Sequence, residues 1–265
     1  MKTKTFIALS LISHLCFGQE WSLEQTIKPK REITAVSVDS KDLIYLGTAG
    51  GEVIRYTNTG EEDEYFSALN NSSVSAIQAW NRLKVFVFYR DQQTASILDR
   101  FTTTPKNINL SDLGLQYAWL FAPGIDNSYW ALSTETRELI KYDDQNLSRL
   151  FSIPIQKDIK INDPVYLRAY KNLIILIDHK SGLWVFDQFG DFKGNIKESG
   201  IKHLDIKEGL AHCVVADELV AIDLFKMEVM SRKKAPESGA FWSVVISGDR
   251  YVFFTRERAE IYSLH

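Results

Sequence analysis

Cysteine is almost missing from this chain: Cys16 and Cys213 are the two among 265 residues. Cys16 lies in a leader described below, so the mature chain keeps Cys213 alone and an intrachain disulfide is excluded. Stability must come from a packed apolar core, and the length suffices, because one domain of this size buries roughly 70–75% of its unfolded surface. Proline is scarce too, with six residues, and no Pro-rich or Gly/Ser-rich stretch splits the sequence into separate units. After the leader, no apolar run nears the roughly 20 residues that a membrane-spanning helix needs. Blocks of one charge sign are absent as well. The formal charge is −3, more negative once Lys2 and Lys4 leave with the leader, and the signs alternate along the chain. Nucleic acid is therefore not an expected partner.

Motifs with known chemistry are lacking. There is no His-x-x-x-His, no Cys pair, and no Asp-x-Asn-x-Asp loop closing on Glu, so no local metal site is expected. Neither a Gly-x-Ser-x-Gly elbow nor a phosphate loop occurs. Asp126-Asn127 and Asp143-Asp144 resemble calcium ligands only in isolation; both pairs sit where turns favour Asp and Asn for backbone bonding.

What is present begins with the leader. Lys2 and Lys4 form a charged head, Phe6 to Ile12 an apolar middle, and Cys16-Phe17-Gly18 a cleavage context before Gln19. Residues 1–18 thus read as an export signal and 19–265 as one mature domain. A lipid anchor on Cys16 is disfavoured by Leu15, which stands where a small residue belongs.

In the mature chain an apolar strand, a polar turn and a second strand closing on a bulky residue recur. Leu43-Ile44-Tyr45-Leu46 leads into Val53-Ile54-Arg55-Tyr56, Tyr129-Trp130-Ala131-Leu132 into Leu139-Ile140-Lys141-Tyr142, and Leu173-Ile174-Ile175-Leu176 into Leu183-Trp184-Val185-Phe186. The closing residues Tyr142, Phe186, Ile222 and Leu264 are about 36 to 44 residues apart. Short strands at that period indicate propeller blades. Six can be placed: Ile33–Leu69, Ser73–Leu110, Ala118–Pro154, Val165–Ser199, Ile201–Glu237, and a last one from Phe241. In the second blade the strands are expected over Val74–Trp80, Leu83–Tyr89 and Ala95–Asp99. Leu224–Arg232 has helical composition but falls where a hairpin belongs, so it reads as a turn and an outer strand.

The last blade holds only three strands, Phe241–Ile246, Tyr251–Thr255 and Glu260–Leu264. Glu20–Ile27, which places Trp21 and Leu23 in alternation before Pro29, is expected to supply the fourth and close the ring, removing exposed sheet edges. The fold class is all-β, a six-bladed propeller. A sandwich would not need this period, and an open solenoid would not need complementary ends.

Leu183-Trp184-Val185-Phe186-Asp187-Gln188-Phe189-Gly190-Asp191-Phe192 resembles the third and outer strands of NHL-type six-bladed propellers. Leu43-Ile44-Tyr45 followed by Gly50-Gly51-Glu52-Val53-Ile54-Arg55-Tyr56 and Asn58-Thr59-Gly60 is similar to the same pattern and to YWTD blades. The likeness covers about three blades. Of the Asp that NHL blades carry near the end of the second strand, Asp178 alone is present, with Thr48 and Leu132 at the other positions. The resemblance implies a ring with a central channel and ligand sites on its faces, and no particular activity.

In such a ring the loops joining second to third strands share one face with the loops between blades. That face would carry Arg90, Arg137, Asp178, His179, Arg256 and Arg258, the candidate ligand-binding residues, with Asp217-Glu218 nearby. Guanidinium forks suit an anionic group. Solvated turn charges are the plainer reading, since exposed ion pairs are worth about 0–1 kcal/mol. His179 beside Asp178 suggests an acid–base pair, but strand neighbours point to opposite faces, so it reads as a turn histidine. His212 and Cys213 are separated by the same rule, and Cys213 reads as a small core residue. His203 reads as a channel-wall residue. Trp119, Trp130, Trp184 and Trp242 read as packing between blades, and Trp80 as an exposed ring on the far face.

No catalytic residue and no cofactor are assigned; a divalent metal in the channel would need ligands distant in sequence. The expected function is an exported, non-catalytic propeller, periplasmic, cell-surface or secreted, that binds a protein or an envelope polymer. The alternatives are a metal-dependent hydrolase or lyase at the channel mouth and a binder of a small anionic ligand.

Overall fold

The second and third strands of the fourth blade read as unbroken apolar runs because they are covered on both sides. Leu173–Asp178 and Gly182–Asp187 are buried at every position, whereas the outer strand Glu228–Lys234 of the next blade is exposed along nearly its whole length. The computed structural model describes residues 20–67, 72–80, 84–99, 105–155, 159–237 and 239–265. Among them, 24 strands form six four-stranded antiparallel sheets, and the expected six-bladed propeller is what they build. The expected leader, 1–18, lies outside the described residues, as do Leu69 and Leu83 at blade and strand boundaries.

Each apolar cluster joins two consecutive blades, and strand parity decides which. In the fourth blade Ile174, Leu176, Trp184 and Phe186 pack on the third, against Trp130 and Leu132. Their chain neighbours Ile175, Ile177, Leu183 and Val185 pack on the fifth, against Cys213, Val220 and Ile222. Cys213 is fully buried there, as a small core residue. The closing residues of the repeat have a structural counterpart. The pairing of third to outer strand shifts register at Tyr56, Tyr142, Phe186 and Ile222, a bulge that bends the outer strand away. Just beyond, Asp143, Asp187 and Asp223 accept amides from the residues two ahead and tie the turn.

Leu224–Arg232 holds no helix: the chain turns and enters the outer strand Glu228–Lys234. A 3-10 turn at Leu110–Leu113 is the one helical element among the described residues. None of the described helices is long and apolar enough to cross a membrane.

The ring is closed as expected. Trp21–Ile27 pairs antiparallel with Ala259–Leu264 as the outer strand of the last blade, in the register Trp21 to Leu264 and Leu23 to Tyr262. The amides of Glu20 and His265 each bond the other's carbonyl, at 3.1 and 3.2 Å. The Trp21 ring stands edge-on to Tyr251 and Phe253, with both centroids 5.2 Å away.

Candidate functional site

Every inner strand starts on the face that carries the inter-blade loops, and the starts in five of the six blades, all but the third, enclose a cavity of about 830 Å³ at the channel mouth. Glu32–Val36, Ser75–Ile77, Val165–Tyr166 and Lys202–His203 form its wall, completed by Gly239, Trp242 and the turn Thr255–Arg258. The wall is partly apolar, with charge at the rim, the composition of a binding pocket.

The floor is His203. It is buried, its Nδ1 lies 2.7 Å from the Ser243 hydroxyl, and the backbone of Val36 hydrogen-bonds the ring. Tyr166 meets it edge-on at 4.8 Å. Burial, assisted by the nearby Arg168 charge, pushes the imidazole down to about 3, so it is neutral at ordinary pH. Further along the inner strands, side chains tie the blades together. Gln78 donates its Nε2 to the Leu167 carbonyl at 2.7 Å, and Arg168 and Asp205 form a buried ion pair at 3.4 Å. Asp205 also accepts the amide of Ile246 at 3.1 Å.

Of the six residues expected on this face, three line the mouth: Arg90, Arg256 and Arg258. The Nε of Arg90 is shielded from solvent and meets no acceptor among the described residues. Arg256 has a loose, exposed contact with Glu32 at 3.7 Å, and Arg258 is tied to Glu260. The other three lie outside the cavity lining. Arg137, last in its turn with φ of 54°, donates to the Ile161 carbonyl at 3.0 Å. Asp178 is fully buried and bonds backbone: Oδ2 takes the amides of Asn162 and Asp163 at 2.7 and 2.5 Å, while Oδ1 takes those of Lys180 and Ser181 at 3.1 and 2.8 Å. Burial opposes its ionisation, but these amides outweigh that and hold its carboxyl below the usual range. His179 is a turn residue whose amide bonds the Asp163 carbonyl and whose Nδ1 is buried without a partner among the described residues.

Lining residues outside the expected six include Lys202 and Trp242. Both come from the linkers before inner strands, not from hairpin turns, and a search of the linker positions would have found them. Trp242, expected as blade packing, is half-buried and lines the cavity, with its indole Nε1 buried and unpartnered among the described residues. Trp80, expected exposed, is half-buried and donates its indole N–H to Gln78 Oε1 at 3.1 Å.

Chemically the arrangement is suited to holding a ligand. The Ser243–His203 pair sits at the floor with Ser243 fully buried, and an imidazole that takes a proton only near pH 3 is a poor general base at neutral pH. Among the described residues no group of three or more His, Cys, Asp or Glu is placed to hold a metal.

No protein family and no curated protein matches the chain by sequence. Solved structures match it in fold. The WD40 domain of Neurospora crassa Pan2 has a TM-score of 0.66 at 9% identity, covering 91% of this chain and 94% of that one. The WD40 propeller domain of Doa1 has a TM-score of 0.61 at 11% identity, covering 93% and 97%. BamB from Moraxella catarrhalis has a TM-score of 0.54 at 12% identity, covering 92% and 98%. At these identities the likeness is one of fold.

Proposed function

We propose that this chain is an exported propeller with NHL/YWTD-like blades that acts as a non-catalytic scaffold, binding a protein or envelope polymer at its channel mouth. The observation that carries the reading is the cavity itself, which is rimmed by loops on a ring held rigid by six inter-blade clusters and floored by a neutral, fully bonded histidine. Loops on a rigid scaffold are the usual carriers of recognition. The fold likeness to WD40 domains supports a partner-binding ring. The sequence of residues 1–18 supports export.

Site-specific photo-crosslinking in the native host tests this. A photoreactive residue in place of Glu257, at the mouth, should give a discrete adduct in the envelope or secreted fraction. One in place of Asn58, in a turn on the opposite face, should not. Adducts from Asn58 alone, or turnover of a small ester that disappears in His203→Gln, would overturn the reading.

A further inference from the structure

Two residues of the mouth each carry a buried donor without an acceptor. Arg90 and Trp242 both line the cavity, and Arg90 Nε and Trp242 Nε1 are shielded from solvent and lack a partner among the described residues. Buried polar groups in native proteins are nearly always bonded, so a pair left unmet in one cavity asks for a reason. Indole and guanidinium donate and cannot accept. Whatever satisfies them must present acceptor atoms.

The charges at the same place narrow the choice. Arg256 already faces Glu32 and Arg258 already faces Glu260, whereas Arg90 and Lys202 have no acidic partner among the described residues. An anion is favoured there, and a guanidinium fork is shaped for a planar, two-oxygen group. Two rim carboxylates, Glu32 and Glu257, limit how much negative charge the mouth accepts. They oppose a doubly charged phosphate more than a singly charged carboxylate, and neutral His203 on the floor adds no positive charge to offset them. Apolar surface from Ile33, Ala35, Val165 and Tyr166 flanks the cations. A bare inorganic ion would leave that wall unused, while a peptide segment would cover it.

We infer that the mouth cavity is a carboxylate-recognition site, in which Arg90, Lys202 and Trp242 grip an acidic side chain or the free C-terminus of a peptide partner. The inference rests on the protein-binding reading above and specifies the chemistry of that same site.

Fluorescence polarisation with the purified mature chain tests it, using three sets of labelled hexapeptides: neutral sequences with a free C-terminus, the same sequences amidated, and amidated sequences with a central Glu. One carboxylate-bearing set should bind, and which one identifies the source; the neutral amides should not. Arg90→Gln and Lys202→Gln should each weaken binding about tenfold or more, as expected for loss of a charge-assisted hydrogen bond. Trp242→Phe, which keeps an aromatic ring and loses the N–H, should weaken it less. Lys202 is exposed, so its variant reports even where Arg90→Gln unfolds the chain. The inference is overturned if no carboxylate-bearing set binds, if neutral amides bind equally, if phosphate competes better than acetate, or if folded Arg90→Gln and Lys202→Gln both keep full affinity. The two readings separate in the crosslinking assay. An adduct from the Glu257 position that survives in the Arg90→Gln, Lys202→Gln double variant leaves the scaffold standing and removes the carboxylate.

Discussion

Trp21 donates its indole N–H to the carbonyl of Lys234, 213 positions along the chain, at 2.8 Å. Trp21 belongs to the strand that completes the last blade, and Lys234 to the outer strand of the blade before it. One side chain therefore joins the N-terminal strand to two blades, with the Lys233 ammonium 4.9 Å from its ring centre.

Trp21→Ala should lower stability by about 2–3 kcal/mol, somewhat less than the cost of emptying a fully buried aromatic site. Urea unfolding measures it. Trp21→Phe should recover most of the loss, and deleting residues 20–27 should expose Ala259–Leu264 as an open edge and promote association.

Asp205→Ala should cost about 3–5 kcal/mol, because it strands the Arg168 guanidinium in the channel and removes the acceptor of the Ile246 amide. Replacing both partners together, Arg168→Met with Asp205→Leu, should cost less than Asp205→Ala alone. A double variant that loses as much as Asp205→Ala, or more, would show that the pair is not coupled.

Acid should act on the floor of the cavity. The imidazole of His203 is depressed in the folded chain to about 3 from an ordinary 6.5, so below pH 6.5 the unfolded chain binds a proton that the folded chain refuses. Its contribution is complete above pH 6.5 and lost as pH falls toward 3, up to about 5 kcal/mol in all. Buried carboxylates such as Asp178 add to acid sensitivity, so the contribution of His203 is the difference from a His203→Gln chain. Melting curves between pH 7 and 4 should diverge, with the variant losing less.

Cys213 should be silent in the native state. Burial pushes its thiol up to about 12, and it sits between Val220 and the neighbouring blade. Maleimide labelling should follow global unfolding, and labelling of the native chain within minutes would contradict the packing described.

The ring was legible because two signals agreed. Unbroken apolar second strands at a regular period imposed the blades, and the short count in the last blade demanded Trp21–Ile27. Local boundaries were harder. The first strand of the second blade was expected over Val74–Trp80 and spans Ala76–Gln78, because Ser75 bonds Phe88 outside the ladder and the Trp80 indole turns back to Gln78.

The site was half legible. Arg90 follows directly on its strand and reaches the mouth, while Arg137, placed last in the equivalent turn, is spent on Ile161. Asp178 carried the blade signature, yet its oxygens anchor residues 162 and 163, the linker into its own blade. Lys202 and Trp242 had no hairpin to mark them. Only the closing of the ring brings their linkers into one cavity with Arg90.

The bond from Gln78 to Leu167 joins the second blade to the fourth past the third, and the Arg168–Asp205 pair joins the fourth to the fifth. Four consecutive blades are thus stitched on their inner side by polar side chains as well as by apolar clusters. A disturbance in the fourth blade is therefore passed to neighbours on both sides of it.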